Sequence, residues 1–152
     1  MYLIIVQEAE VEQIGRFRFE SLEHTADKAI IAHGETYEAM LESAAAAMFA
    51  QQVDLTSVPE EREWTVSAEG ESAEDLLVAW LRELIFLSER EEAALCDFKI
   101  LDFSQWKLRA EVRGGGYSEK VRRTGAGVKA VTYHNLSVKH EGDWQGTVTF
   151  DV

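Results

Sequence analysis

Two carboxylates that are far apart in the sequence occupy positions suited to binding a metal ion. Asp27 follows a polar turn and begins a strand pattern, and Asp151 is the penultimate residue of the last strand pattern. The α-carboxylate of Val152 adds a third oxygen donor one residue further on. Mg²⁺ and Ca²⁺ prefer such oxygen ligands, and Ca²⁺ tolerates irregular geometry. The pattern indicates a hard-metal site, with solvated carboxylates that bind nothing as the alternative.

Other kinds of chemistry fit the sequence poorly. Cys96 lies between Leu95 and Asp97, with no basic neighbour in sequence to activate its thiol, so we expect a buried structural cysteine. The sequence has no P-loop and no GxGxxG motif. No HxxxH pair occurs among the histidines, which are His24, His33, His134 and His140. A nucleophilic enzyme, a nucleotide-binding loop and a histidine metal cage are therefore all disfavoured.

The net charge of −13 disfavours a general nucleic-acid binder, because nucleic-acid affinity comes largely from lysine and arginine neutralising phosphates. The charge is uneven: residues 1–98 hold 22 acidic and 6 basic residues, whereas residues 99–152 hold 6 acidic and 9 basic. The cationic segment from Lys107 to Lys129 either contacts RNA or an acidic partner, or is a solvated strand surface with a mobile loop. The acidic body favours metal binding or docking on a basic protein.

The length of 152 residues and the 46% apolar content predict one domain with a proper core. A single cysteine excludes an internal disulfide and a multi-cysteine zinc site. The N-terminus lacks the basic region and the long apolar run of a signal peptide, so we expect a cytoplasmic protein.

The first half of the chain predicts short strands and a first helix. Strand alternation covers residues 17–20 and 28–33. Thr36 is the expected N-cap of the first helix. One face of that helix is apolar at the helical spacing, with Tyr37, Met40, Leu41, Ala44 and Met48.

The middle of the chain predicts a strand at residues 64–68 and a second helix at residues 73–89. Ser72 begins a weak capping-box match in front of that helix. Its apolar residues spread too widely for a surface helix, so we expect it to be the central buried element. The tryptophans Trp64, Trp80 and Trp106 are expected in the core.

The last third predicts strands. A hairpin is expected around Ser104-Gln105, and Gly114–Gly116 are expected to begin a flexible loop that extends to Gly127. Residues 128–138 alternate as one long strand with a mostly apolar face, and residues 146–152 form the last strand. Helices among mixed strands with late hairpins predict an α+β fold with a mixed, mostly antiparallel sheet and two main helices.

Several motifs resemble the archease family. Phe19 to Asp27, ending in Glu-His-Thr-Ala-Asp, resembles the opening signature of that family. Similar segments follow in order, at Ala44–Phe49 with Asp54-Leu55, at Leu76–Leu84, and at Val128–His134. The chain then stops at an aspartate followed by one aliphatic residue, as archeases do. The resemblance covers about residues 17–152 and leaves residues 1–16 as an N-terminal extension of unknown role.

The resemblance implies a protein cofactor and not an enzyme. Archeases assist the RtcB-type RNA ligase of tRNA splicing and RNA repair by promoting its guanylylation and multiple turnover. That ligase joins phosphate-ended RNA to 5′-hydroxyl ends with GTP and Mn²⁺. The resemblance also implies that Asp27, Asp151 and Val152 hold a divalent metal, with Ca²⁺ first and Mg²⁺ or Mn²⁺ as alternatives. It implies a protein partner. The net charge of −13 predicts only weak or indirect RNA contact, and since no apolar run approaches the length of a membrane-spanning helix, we expect no membrane contact.

Three further residues are candidates at this site or at the partner contact. His24 either orients Asp27 by hydrogen bonding or caps the turn. Lys129 either donates to a phosphate or an acidic ligase residue, or faces solvent across the strand. His134 is a third candidate, although it falls with Thr132 on the mostly apolar face of the predicted strand, which favours packing or hydrogen bonding.

One departure from the family concerns the glycine run. The family usually has a Gly-Glu pair where this chain has Gly114–Gly116, with Glu119 displaced. Two rival functions also stay open: a stand-alone metal-dependent phosphoester hydrolase, and a chaperone-like modulator of nucleic-acid enzymes. The first lacks an evident general base besides the metal ligands, and the second lacks the expected broad apolar surface.

Overall fold

The computed structural model describes residues 10–23 and 28–152, which form eight strands and two α-helices. The strands are β1 (Glu12–Ile14), β2 (Phe17–Glu23), β3 (Lys28–Gly34), β4 (Arg62–Glu69), β5 (Ala93–Ser104), β6 (Lys107–Gly116), β7 (Ala130–Glu141) and β8 (Asp143–Asp151). The helices are α1 (Tyr37–Ala50) and α2 (Ala73–Glu91), with a short 3-10 turn at Leu55–Ser57. No helix of the described part is long and apolar enough to cross a membrane.

The strands divide into two antiparallel sheets. The first has the order β1-β2-β3-β8-β7, and the second has the order β4-β6-β5. In the first sheet β3 and β8 pair so that Lys28 lies opposite Phe150 and Gly34 lies opposite Trp144. The predicted α+β class with two main helices is confirmed.

Both helices begin at the predicted caps. The Thr36 hydroxyl accepts a hydrogen bond from the Ala39 amide at 3.0 Å, and the Ser72 hydroxyl accepts one from the Asp75 amide at 3.1 Å. Each side chain thereby satisfies an amide that has no partner inside its helix.

The central buried helix is α1 and not α2, so that prediction is wrong. Helix α1 packs against β2, β3 and β8 of the first sheet and against β5 of the second. Four consecutive alanines of α1, Ala44–Ala47, are completely buried, and such small side chains let the helix fit between two sheets. Helix α2 leaves one face to solvent, where Phe86 is 58% exposed.

The glycine run is the end of a strand and not the start of a loop, which corrects a second prediction. Gly114 pairs with Leu95 and Gly116 pairs with Ala93 at the β5–β6 ladder. A Cβ atom at Gly114 would lie only 2.0 Å from the carbonyl oxygen of Ala94. Close approach of two backbones is therefore what requires glycine here.

The hairpin between β5 and β6 turns at Gln105 and Trp106, one residue later than predicted. Ser104 pairs with Lys107, and both intervening residues have positive φ, 51° and 59°. Positive φ at both central residues is the type I′ arrangement that matches strand twist.

Only part of the apolar face predicted for residues 128–138 is present: Val128 is buried, and Leu136 and Val138 pack against the core. The pairing with β8 shifts register between Thr132 and Ser137, and Asn135 has a φ of 55°. Val131, of the opposite parity, is buried, whereas His134 is exposed. An irregularity inside a strand reverses which side chains face the core.

Candidate metal centre

Asp151 lies at the end of β8, with a strand on each side. Val148 and Phe150 are completely buried and anchor the strand in the core, while Asp151 and Val152 are exposed. On the β7 side Asp151 pairs with Ala130, and the Lys129 amide donates to the Asp151 carbonyl oxygen at 2.8 Å. The Asp151 side chain is therefore held by a rigid strand at an open sheet end.

The other predicted ligand, Asp27, and the neighbouring His24 lie outside the described residues. The chain on either side of them is described: Glu23 pairs with Lys28 across β2 and β3, and Lys28 pairs with Phe150 of β8. The residue that follows Asp27 is thus opposite the residue that precedes Asp151. Consecutive Cα atoms are about 3.8 Å apart across a trans peptide bond. Asp27 and Asp151 are each one residue away from this pair in the sequence.

Within residues 10–23 and 28–152, no three histidine, cysteine or acidic side chains lie close enough together to hold a metal ion. In the same residues, no lysine, arginine or histidine pairs with the Asp151 carboxylate. The ligand set of Asp27, Asp151 and Val152 remains a prediction, since one of its members is not described.

Lys129 is the candidate that lies beside Asp151. It is exposed and lines a cavity of about 550 Å³ between the C-terminal ends of the two helices. Gln52 organises this cavity, because its side-chain oxygen accepts from the Val128 amide at 2.9 Å and its amide nitrogen donates to the Tyr117 hydroxyl at 3.4 Å.

Residues 117–129, which we call the docked loop, are fastened to the chain after α1. The Asp54 amide donates to the Arg122 carbonyl at 2.8 Å, and the Thr124 amide donates to the Gln52 carbonyl at 3.0 Å. The Arg122 guanidinium also holds the Asp54 carboxylate, with Nε at 3.1 Å. The loop was expected to be flexible; these bonds show that it is docked instead.

The surroundings of Asp54 favour the ionised form of its carboxyl group. A hydrogen bond from the Thr56 hydroxyl, at 2.7 Å, is the main reason that the pKa of Asp54 lies below its ordinary value, and Arg122 adds to the effect. Sequence analysis missed Gln52, Asp54 and Arg122 as positioning residues. The one hint was Asp54-Leu55, which the family resemblance included.

His134 does not join Asp151. It lies in the irregular part of β7, where its carbonyl oxygen accepts from the Thr149 hydroxyl at 3.0 Å and its amide contacts the Thr132 hydroxyl at 3.3 Å. Its side chain is exposed, so the packing role that its parity favoured is wrong. A role at a partner surface stays a prediction.

Comparison with known proteins supports the motif resemblance. The model of the Archease protein family matches residues 19–152. A protein archease of Methanopyrus kandleri is 36% identical over 88% of this chain and 99% of its own length, and one of Methanosarcina mazei is 35% identical over 89% and 96%. The solution structure of Methanobacterium thermoautotrophicum protein 1598 superposes with a TM-score of 0.73 at 31% identity, covering 88% of this chain and 98% of that one.

Proposed function

The chain belongs to the archease family, and from that premise we propose that it activates an RtcB-type RNA ligase in tRNA splicing and RNA repair. The observation that carries the proposal is the family match across residues 19–152, which includes the segments holding Asp27, Lys129 and Asp151. The proposed role is to promote guanylylation and multiple turnover of the ligase. Since the proposed partner works on tRNA, we also propose that the protein is cytoplasmic.

The described residues support a helper role more than independent catalysis. The thiol of Cys96 is buried, and desolvation raises its pKa to about 12, so it is not a nucleophile at neutral pH. The negative body of the protein suits contact with a basic protein surface better than contact with RNA phosphates.

We further propose that Asp27, Asp151 and the terminal carboxylate hold one divalent cation, with Ca²⁺ first and Mg²⁺ or Mn²⁺ as alternatives. The donor set fits, since all its members are hard oxygen ligands. The exposed end of β8 and the pairing of Lys28 with Phe150 also fit, because they bring the neighbours of both aspartates together. A bound divalent cation would offset two of the three negative charges and so stabilise this end of the sheet.

Lys129 is proposed as the contact to an acidic ligase residue or to a phosphate. Its backbone is tied to Asp151 and its side chain is exposed, so it projects from the same sheet end. Lys129 is the last residue of the docked loop, and the hydrogen bonds of that loop to Gln52 and Asp54 help to position it. His24 is proposed to orient Asp27 by hydrogen bonding.

Ligase turnover tests the function. An RtcB-type ligase with GTP, Mn²⁺ and excess 3′-phosphate RNA should give many turnovers with this protein and few without it. The protein without ligase should neither join RNA nor become guanylylated. Joining by the protein alone, or an unchanged turnover number, would contradict the proposal. Release of phosphate from RNA by the protein alone would favour the hydrolase alternative.

Calorimetric titration with Ca²⁺ tests the metal site separately from ligase activation. The wild type should bind Ca²⁺ and unfold at a higher temperature in its presence, because a ligand that binds only the folded state stabilises it. Asp151→Asn should lose both effects and ligase stimulation while staying folded, since its side chain is exposed. Asp102→Asn, which changes an exposed aspartate paired with Arg109 in the second sheet, is the matched control.

A further inference from the structure

A second pocket, walled by aromatic side chains, lies at the opposite end of the first sheet from Asp151. This aromatic pocket has a volume of about 490 Å³ and is lined by Tyr37, Phe103, Trp106, His140 and Trp144, together with the acidic residues Glu35 and Glu38. Trp144 pairs with Gly34, six residues along β3 from Lys28. That strand length corresponds to about 20 Å, so the pocket is separate from the candidate metal centre.

Tyr37 is the fixed centre of the aromatic pocket. Its ring centroid lies 5.2 Å from Phe103, 5.6 Å from Trp106 and 5.4 Å from Trp144. Tyr37 is only 5% exposed, and its hydroxyl donates to the Ala73 carbonyl at 2.7 Å. Burial and this hydrogen bond therefore hold the Tyr37 ring in place, and the aromatic walls of the pocket pack around it.

Trp106 occupies a backbone conformation that disfavours a tryptophan. Its φ of 59° is at the second position of the two-residue turn, where glycine is preferred. A bulky residue there is an outlier, and such strain tends to be kept where a side chain has a function. The Gly70 amide fixes this turn by donating to the Trp106 carbonyl at 2.9 Å.

The charge at the aromatic pocket is negative. Glu35 and Glu38 line it, and two basic side chains of the surrounding strands pair with other carboxylates: Lys107 with Glu69 at 3.5 Å and Arg18 with Asp143 at 3.2 Å. Two carboxylates beside aromatic faces attract a cation.

No lysine or arginine of the described residues lies over the rings of Tyr37, Phe103, Trp106 or Trp144, although arginines cover other rings, such as Arg62 over Trp64 at 4.8 Å. The remaining residues, 1–9 and 24–27, contain no lysine or arginine. A guanidinium or ammonium group stacked on these rings would therefore come from another molecule.

We propose that the aromatic pocket binds the guanidinium group of an arginine side chain presented by a partner protein. A guanidinium is flat, weakly hydrated and stacks on aromatic rings while pairing with carboxylates. His140 stacks on Trp144 at 4.1 Å with 13° between the planes and covers one face of it, so the guest lies against Phe103 and Trp106. The net charge of −13 favours approach of a basic partner. This inference does not depend on ligase activation.

Indole NMR signals of the full-length protein offer a direct test, because the chain has four tryptophans. On titration with N-acetyl-arginine amide, the indole N–H signals of Trp106 and Trp144 should shift saturably. Those of Trp64 and of the buried Trp80 should not move. The neutral isostere N-acetyl-citrulline amide should bind about ten-fold more weakly, since it keeps the shape and lacks the charge. Absence of a saturable shift, or equal binding of the citrulline probe, overturns the proposal.

Charge variants complete the test. Glu35→Gln combined with Glu38→Gln should weaken arginine binding about three- to five-fold. Glu60→Gln combined with Glu119→Gln removes the same charge at exposed positions that do not line the pocket and should leave binding unchanged. Equal weakening by both double variants would mean that only the net charge attracts the probe, and would overturn the assigned site.

Discussion

At the residue scale, Gly114 is held between two backbones that leave no room for a side chain. Gly114→Ala should destabilise the protein by about 1–3 kcal/mol, because the new Cβ would lie 2.0 Å from the Ala94 carbonyl oxygen and must push the strands apart. Gly116→Ala is the matched control: nothing lies within 4 Å of its Cβ position, so a change of about 0.5 kcal/mol or less is expected. Urea unfolding measures both, and equal stability of the two variants would contradict the close approach.

Cys96 provides a second residue-scale prediction. Burial, reinforced by the nearby charges of Glu60 and Asp97, raises the pKa of its thiol to about 12. The thiolate is the reactive form, so the native protein should react only slowly with a disulfide reagent between pH 7 and pH 9. The protein unfolded in guanidinium should react at the rate of a free thiol. Fast reaction of the folded protein would show that this part of β5 opens readily.

At the element scale, the docked loop depends on Arg122. Arg122→Ala removes the contact with Asp54 and should raise amide hydrogen exchange across residues 117–129, while α1 and α2 keep their protection. Lys120→Ala, in the same loop, is the control, because no described carboxylate pairs with Lys120. Unchanged exchange in Arg122→Ala would mean that the backbone bonds alone hold the loop.

The docking of this loop should also depend on pH. The pKa of Asp54 is lowered in the folded protein, by the Thr56 hydroxyl first and then by Arg122. The contribution of Asp54 is therefore fully present above the unfolded-state pKa of an aspartate and is lost as the pH falls through the lowered folded-state value. Loop protection should persist at neutral pH and fall only in acid, and Asp54→Asn should remove that acid-dependent loss.

Sequence patterns predicted the helix starts correctly, because a helix cap depends only on residues that are close together in the sequence. The caps at Thr36 and Ser72 follow from a hydroxyl before an apolar run, and both bonds are present. The glycine run and the β7 irregularity were mispredicted because both depend on a partner strand: Ala94 excludes a side chain at Gly114, and the pairing with β8 shifts register near Asn135. Single-strand alternation holds no information about such partners.

At the scale of the whole molecule, the sheet order decides which residues meet. Strands β3 and β8 are neighbours although more than a hundred residues separate them, and no spacing rule indicates that pairing. Asp27 and Asp151 were linked in the sequence by donor chemistry and family resemblance alone. The aromatic pocket was missed for the same reason, since Tyr37, Trp106 and Trp144 come from three distant elements and Trp106 was expected in the core.

The fold also determines how far the cationic segment from Lys107 to Lys129 is available to a partner. Most of its basic side chains are neutralised by carboxylates of the same protein, in the pairs Lys107–Glu69, Arg109–Asp102, Arg113–Glu111 and Arg122–Asp54. Arg123 lies over the Tyr117 ring. The segment therefore carries a series of ion pairs on strand and loop surfaces and does not form a basic groove.

RNA affinity of the isolated protein should accordingly be weak. In fluorescence anisotropy with single-stranded RNA at physiological salt, we expect a dissociation constant above about 10⁻⁴ M, the weak end of non-specific binding. Any residual binding should fade with rising salt at a shallow slope, because few lysines and arginines are free to displace counterions. Replacing the exposed Lys120, Arg123 and Lys129 together by alanine should change the affinity little in absolute terms. Micromolar binding that these substitutions abolish would show instead that the docked loop outweighs the acidic body and contacts RNA directly.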